Sequence, residues 1–132
     1  EVPEVVELAE KLGVKVEDVR FPKDIEGCIR CGLCVRVCNE VVGANAISFS
    51  GRGHDRKVSP PFEVTAEDCI GCGSCAYVCP TGFIRIIEDE NTREFPLWDA
   101  KFEFVKCKKC GKKIATTKQI EFMRQRADIP ED

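Results

Sequence analysis

An α+β fold of two pseudo-symmetric halves, with a helix in front and a cysteine knuckle and helix behind, is predicted by three observations. The first is an internal repeat. CIRCGLCVRVC at 28 to 38 and CIGCGSCAYVC at 69 to 79 superpose at a single offset of 41 residues. The second is a short alternating apolar run after each copy, AISFS at 46 to 50 and FIRII at 83 to 87, each of which reads as a strand. The third is the cysteine count: ten in 132 residues, a density that marks a scaffold stapled by metal or cross-links. Only eleven residues are Phe, Trp, Tyr or Met, so the apolar core is thin and such staples are needed.

The elements follow in chain order. VPEVVELAEKL at 2 to 12 sets Val2, Val5, Val6, Leu8, Ala9 and Leu12 at helical spacing with acids on the opposite side. Pro3 suits a first helical turn and Gly13 supplies the stop. This amphipathic helix needs a surface, and the following domain is the nearest. An extended piece at 18–21 leads to Pro22. Each cysteine-rich loop then opens a short helix and a strand. Between the copies, GRGHDRKVSPPFEV reads as a hairpin-like excursion or loop in which Arg52, Arg56 and Lys57 are solvated. EDENTREFP reads as a linker, KFEFV at 101 to 105 as an edge strand and CKKCGKK as a tight knuckle. Thr116 with Gln119 makes a capping-box start for a helix to about residue 127, and Pro130 forbids much continuation. The expected division is a helical lead-in at 1–22, a core at 23–90 and a basic extension at 91–132.

Composition narrows the function. The chain is too short for a large catalytic barrel or a doubly wound sheet. No segment approaches the 18 uninterrupted apolar residues of a membrane span, and no basic-apolar leader precedes Glu1, so a cytoplasmic protein is expected. A first residue other than Met leaves room for residues at either end. The net charge of −3 is uneven: residues 1 to 26 carry eight acids and four bases, whereas 101 to 126 carry nine bases and two acids. That asymmetry suits either a docking surface for an acidic partner or a solvated Lys-rich helix face. Gly-rich phosphate loops, nucleophile elbows and paired-histidine metal helices are absent.

The chemistry lies in Cys-x2-Cys-x2-Cys-x3-Cys, used twice, the second time followed by Pro80. This is the bacterial-ferredoxin spacing for a 4Fe–4S cluster. Three thiolates two residues apart wrap one corner of a cube, and the fourth reaches the cluster of the other copy. Cluster one then takes Cys28, Cys31, Cys34 and Cys79, and cluster two takes Cys69, Cys72, Cys75 and Cys38. Gly32 and Gly73 let the loop backbone bend close to the inorganic core. Zinc ordinarily uses two cysteine pairs at long separation, and disulfides need an oxidising compartment. Arg30 and Arg36 flank the first cluster, and Tyr77 and Phe83 are expected to shield the second. Cys107 and Cys110 are half of a zinc-ribbon-like site. Three readings stay open for them: residues beyond this chain complete the site, a partner subunit completes it, or the pair is unliganded. His54, the single histidine, supplies a third ligand at most.

CIRCGLCVRVCNEVVGANAISFSGRG followed by CIGCGSCAYVCPTG resembles the two-cluster module in the large iron–sulfur subunit of NADH:quinone oxidoreductase (complex I). It is similar also to iron–iron hydrogenases and NAD-dependent formate dehydrogenases. In these families too a polar residue, here Asn39, follows the first copy's fourth cysteine. VVELAEKLGVKVEDVRF resembles the helix and strand leading into that module, and the tail resembles the ending of small polyferredoxin subunits. The families' upstream two-iron domain and downstream catalytic domain have no counterpart here, so a separate small subunit is expected. The resemblance implies a di-cluster ferredoxin-like core, two [4Fe–4S] clusters with at most one Zn, and one-electron transfer without catalysis of its own. It further implies larger catalytic oxidoreductase subunits and other iron–sulfur subunits as partners, which would attach the chain to any membrane complex. Two alternatives are a freely diffusing ferredoxin and a redox-sensing regulator whose basic knuckle reads a nucleic acid. The acidic remainder, without aromatic platforms around the lysines, argues against nucleic acid.

Overall fold

The computed structural model describes residues 3–15, 27–64 and 66–128, and the extended piece expected at 18–21 lies outside them. Helix α1 (Pro3–Lys11) forms where the apolar spacing puts it. None of its residues is buried, and Leu8 and Leu12 remain 56% and 69% exposed. The covering surface expected for this helix is therefore not found among the described residues.

Both cysteine loops enter a helix through a left-handed glycine. Gly32 (φ 77°) precedes α2 (Leu33–Arg36), and Gly73 (φ 84°) precedes α3 (Ser74–Tyr77). A Cβ at Gly32 would lie 3.2 Å from the Phe49 ring, and one at Gly73 would lie 3.2 Å from Ile86 Cδ1. Both the sign of φ and the close approach call for glycine. The copies then diverge. The first helix runs on as a π-helical turn, Val37–Val42, and ends at left-handed Gly43. The second stops short of Pro80, which brings no N–H to the ladder and disfavours helix at the residue before it.

Strands β1 (Ser48–Ser50) and β2 (Lys57–Ser59) form an antiparallel hairpin with Ser48 opposite Ser59. The excursion between the repeats is thus a hairpin. The second apolar run behaves differently. Only β3 (Ile87–Glu88) is strand, and it joins β4 (Thr92–Phe95), β5 (Ala100–Lys106) and β6 (Lys113–Thr116) in an antiparallel sheet of order β3-β4-β5-β6. Residues 83–86 are not strand, because Phe83 and Ile84 turn inward to line a cysteine cavity.

Two further expectations are corrected by the same sheet. EDENTREFP is a tight turn and a strand, not a linker. Asp89 closes the turn by accepting from the backbone N–H groups of Asn91 (2.7 Å) and Thr92 (2.6 Å). KFEFV belongs to an inner strand, paired on one side to β4 and on the other to β6. Its alternation, with Ala100 and Phe102 buried and Lys101 and Glu103 exposed, reports which face is covered and not how many neighbours the strand has.

Phe95, Trp98, Ala100 and Phe102 share one core with Cys34, Ile47, Cys75 and Ile84, so the sheet and core both cross residue 90. Helix α4 (Thr117–Ala127) begins at Thr116, whose hydroxyl accepts from Gln119 N–H at 3.2 Å and donates to the Ile70 carbonyl. Lys118 reaches the Glu67 carbonyl at 2.8 Å, and Arg126 reaches that of Val42 at 2.6 Å. The C-terminal helix is thereby pinned to both copies of the repeat.

Candidate metal centres

Two cavities lie inside the core. One is lined by Cys28, Cys31, Cys34 and Cys79. The other is lined by Cys69, Cys72, Cys75 and Cys38. Each combines three cysteines of one loop with the fourth cysteine of the other copy. The residues after each fourth cysteine follow it across: Phe83 and Ile84 wall the first cavity, and Ala46 and Ile47 wall the second. The first three cysteines of each copy sit on the loop and opening turn, whereas the fourth lies further on, Cys38 in the π-helical turn and Cys79 after α3.

Position 30 of the first loop corresponds to position 71 of the second. Both are left-handed, with φ 57° at Arg30 and 70° at Gly71. A Cβ at Gly71 would lie 2.7 Å from the Phe102 ring and 3.0 Å from Thr116 Cγ2, so the C-terminal sheet covering the second loop permits glycine alone. Arg30 lines the mouth of the first cavity, and its guanidinium donates to the Gly53 carbonyl at 3.4 Å. Arg36 instead faces outward and pairs with Glu40 at 3.5 Å.

The thiols feel this environment strongly. Burial pushes Cys34 up from 9.0 to about 11 and Cys75 up to about 12, and it also raises Cys69. Nearby sulfurs add to the rise, those of Cys28, Cys31 and Cys79 acting on Cys34. Cys79 moves the other way: burial raises it, but amide N–H groups of Ile84, Thr81 and Phe83 and the Thr81 hydroxyl together outweigh that. Charged buried thiolates need compensation, which amide donors supply in part and a bound cationic metal core would complete.

Tyr77 does not shield the second site. It is 93% exposed, because α3 is anchored by Cys75 on its inner side and turns Tyr77 outward. Phe83 is half-buried in the first cavity, carried there with Cys79. The wall common to both cavities is Trp98, 2% exposed, a residue that sequence reasoning missed. Its one signal is rarity: it is the single tryptophan of the chain.

Cys107 and Cys110 form the turn between β5 and β6. The Cys107 amide donates to Lys112 O, and the Gly111 amide to Cys107 O, both at 2.9 Å. Backbone N–H groups of Cys110 and Lys109, and the Cys110 side chain, hold the Cys107 thiol below its ordinary value. Among the described residues, no three His, Cys, Asp or Glu side chains converge as a single ion demands. The knuckle therefore offers two ligands, and nothing described completes a zinc site.

Cysteine-lined cavities with amide donors and apolar walls fit an iron–sulfur protein of the 4Fe–4S type. The model of the 4Fe-4S dicluster domain matches residues 27–83 and, in a second register, 68–115. The chain belongs to the 4Fe-4S dicluster domain family. Among its relatives is an NADH-quinone oxidoreductase subunit of Rhizobium meliloti (strain 1021), 35% identical over 114 residues. The match takes in 80% of this chain but only 12% of that relative's length. Among the described residues no helix is long and apolar enough to cross a membrane.

Proposed function

We propose that this chain holds two [4Fe–4S] clusters, one in each cage, and relays single electrons between redox sites of a multi-subunit oxidoreductase. The observation that carries the reading is the pair of cavities, each lined by four cysteines and both walled by Trp98. Bound there, each cluster would take up and release one electron at a time. Cys28, Cys31, Cys34 and Cys79 hold the first; Cys69, Cys72, Cys75 and Cys38 hold the second. The two halves are related by a pseudo-two-fold, a view supported by the matching Gly32–Phe49 and Gly73–Ile86 approaches.

The protein's own work is to ligate, bury and donate hydrogen bonds to sulfur, and no residue acts as an acid, base or nucleophile. Exposed Cys31 marks the side on which the first cage meets solvent. Partner subunits supply the chemistry at either end, as the name of the relative suggests. The basic stretch at 101–126 suits an acidic face on one of them. The chain would lie in the cytoplasm, reaching any membrane complex through those partners.

Anaerobically purified protein, titrated with dithionite, should accept about two electrons per chain, one per cluster, with paramagnetic signals growing in. Protein that is colourless, or whose spectrum dithionite leaves unchanged, overturns the cluster reading. A stable monomer that exchanges electrons with several unrelated reductases overturns the subunit reading.

A further inference from the structure

We propose that Trp98 raises the potential of one cluster and not of the other: its indole N–H donates to sulfur in the Cys38–Cys69–Cys72–Cys75 cage, while its ring serves both cages only as a wall. The inference rests on the two-cluster reading above. Trp98 lies on the short turn Pro96–Trp98 between β4 and β5, outside both copies of the repeat. Its Nε1 is buried and has no hydrogen-bond partner of normal geometry. A buried indole N–H is costly to leave unpaired, so its acceptor is a sulfur that lines or fills the cavity.

The two cages differ in other donors too: Cys79 of the first receives the amides of Ile84, Thr81 and Phe83, and Cys69 of the second receives that of Gly71. Cys34 and Cys75 are equivalent, and each receives the amide of the next residue, Val35 or Ala76; Cys75 alone also feels the Trp98 side chain as a donor. A hydroxyl partners one sulfur in each cage, Ser74 with Cys72 at 3.4 Å and Thr81 with Cys79 at 3.7 Å. A cation stands near each, Arg30 on the first cavity and Lys118 acting on Cys69. Trp98 is the donor that reaches the second cage alone from outside the repeat. A donor to sulfur stabilises the reduced, more negative state and so raises the potential. Trp98 therefore holds the potential of the second cluster above the value it would have without the indole N–H.

The test is an anaerobic, spectroscopically monitored redox titration of the full chain and of Trp98→Phe, which keeps the ring and removes the N–H. One of two potentials, that of the second cluster, should fall and the other should stay. The signal that moves should be the one whose shape Cys72→Ser alters. Potentials that both stay, or that move together as a packing change would make them, overturn the proposal. Because Trp98 is the one tryptophan, indole-15N-tryptophan labels this single nitrogen in the unmutated protein. Its hyperfine coupling should appear on one cluster's signal, and absence from both overturns the proposal even where the variant fails to load iron. Wild-type protein with about eight irons and no Trp98 effect defeats this inference alone, whereas protein lacking two clusters defeats the earlier reading as well.

Discussion

Burying a thiol and then asking it to be a thiolate is a conflict, and the iron-free protein should reveal it. Cys34 and Cys75 hold their protons to about 11 and about 12, whereas an ordinary thiol loses its own near 9.0. Above that value the unfolded chain binds fewer protons than the folded one, so folding stability falls as pH rises. Denaturant unfolding of iron-free protein should show its midpoint dropping from about pH 9 upward, and metal-loaded protein, its thiols already deprotonated, should lack this drop. An iron-free protein that gains stability over that range would contradict the burial described. Gly71 offers a second test. Gly71→Ala meets the Phe102 ring at 2.7 Å with φ at 70° and should cost about 1–3 kcal/mol in unfolding free energy. The corresponding position in the other loop already carries Arg30 at φ 57°.

Thr116 shows how one side chain can serve two elements. Fully buried, it caps α4 through Gln119 and ties the second cysteine loop through Ile70. Thr116→Val keeps the shape but loses both bonds, and chemical unfolding should report a loss of about 1–3 kcal/mol. The cap is legible in the sequence because capping chemistry is local, and so is the α1 spacing. The sheet is less so. Alternation in KFEFV gives the buried face but not the number of neighbours, and the turn that makes EDENTREFP a strand depends on one carboxylate, that of Asp89. The run after the second repeat has the look of a full strand because Phe83 and Ile84 have the residue types of a strand but the task of a cavity wall.

Across the whole molecule, the cysteine pattern is readable because ligand spacing is set by the geometry of the group held. What covers the cages is not, since Phe95, Trp98 and Phe102 arrive from beyond the repeat through a fold that long-range packing alone decides. A chain ending at residue 90 keeps all eight core cysteines but loses these walls, so it should retain far less iron than the full chain after anaerobic desalting. Equal retention would mean that the C-terminal sheet is dispensable. The exchange of fourth ligands has its own readout in Cys38→Ala, by anaerobic alkylation of the folded protein followed by mass spectrometry. Labelling should appear at Cys69, Cys72 and Cys75 while Cys28, Cys31, Cys34 and Cys79 stay protected; labelling at Cys28, Cys31 and Cys34 instead would mean that each copy ligates its own cluster.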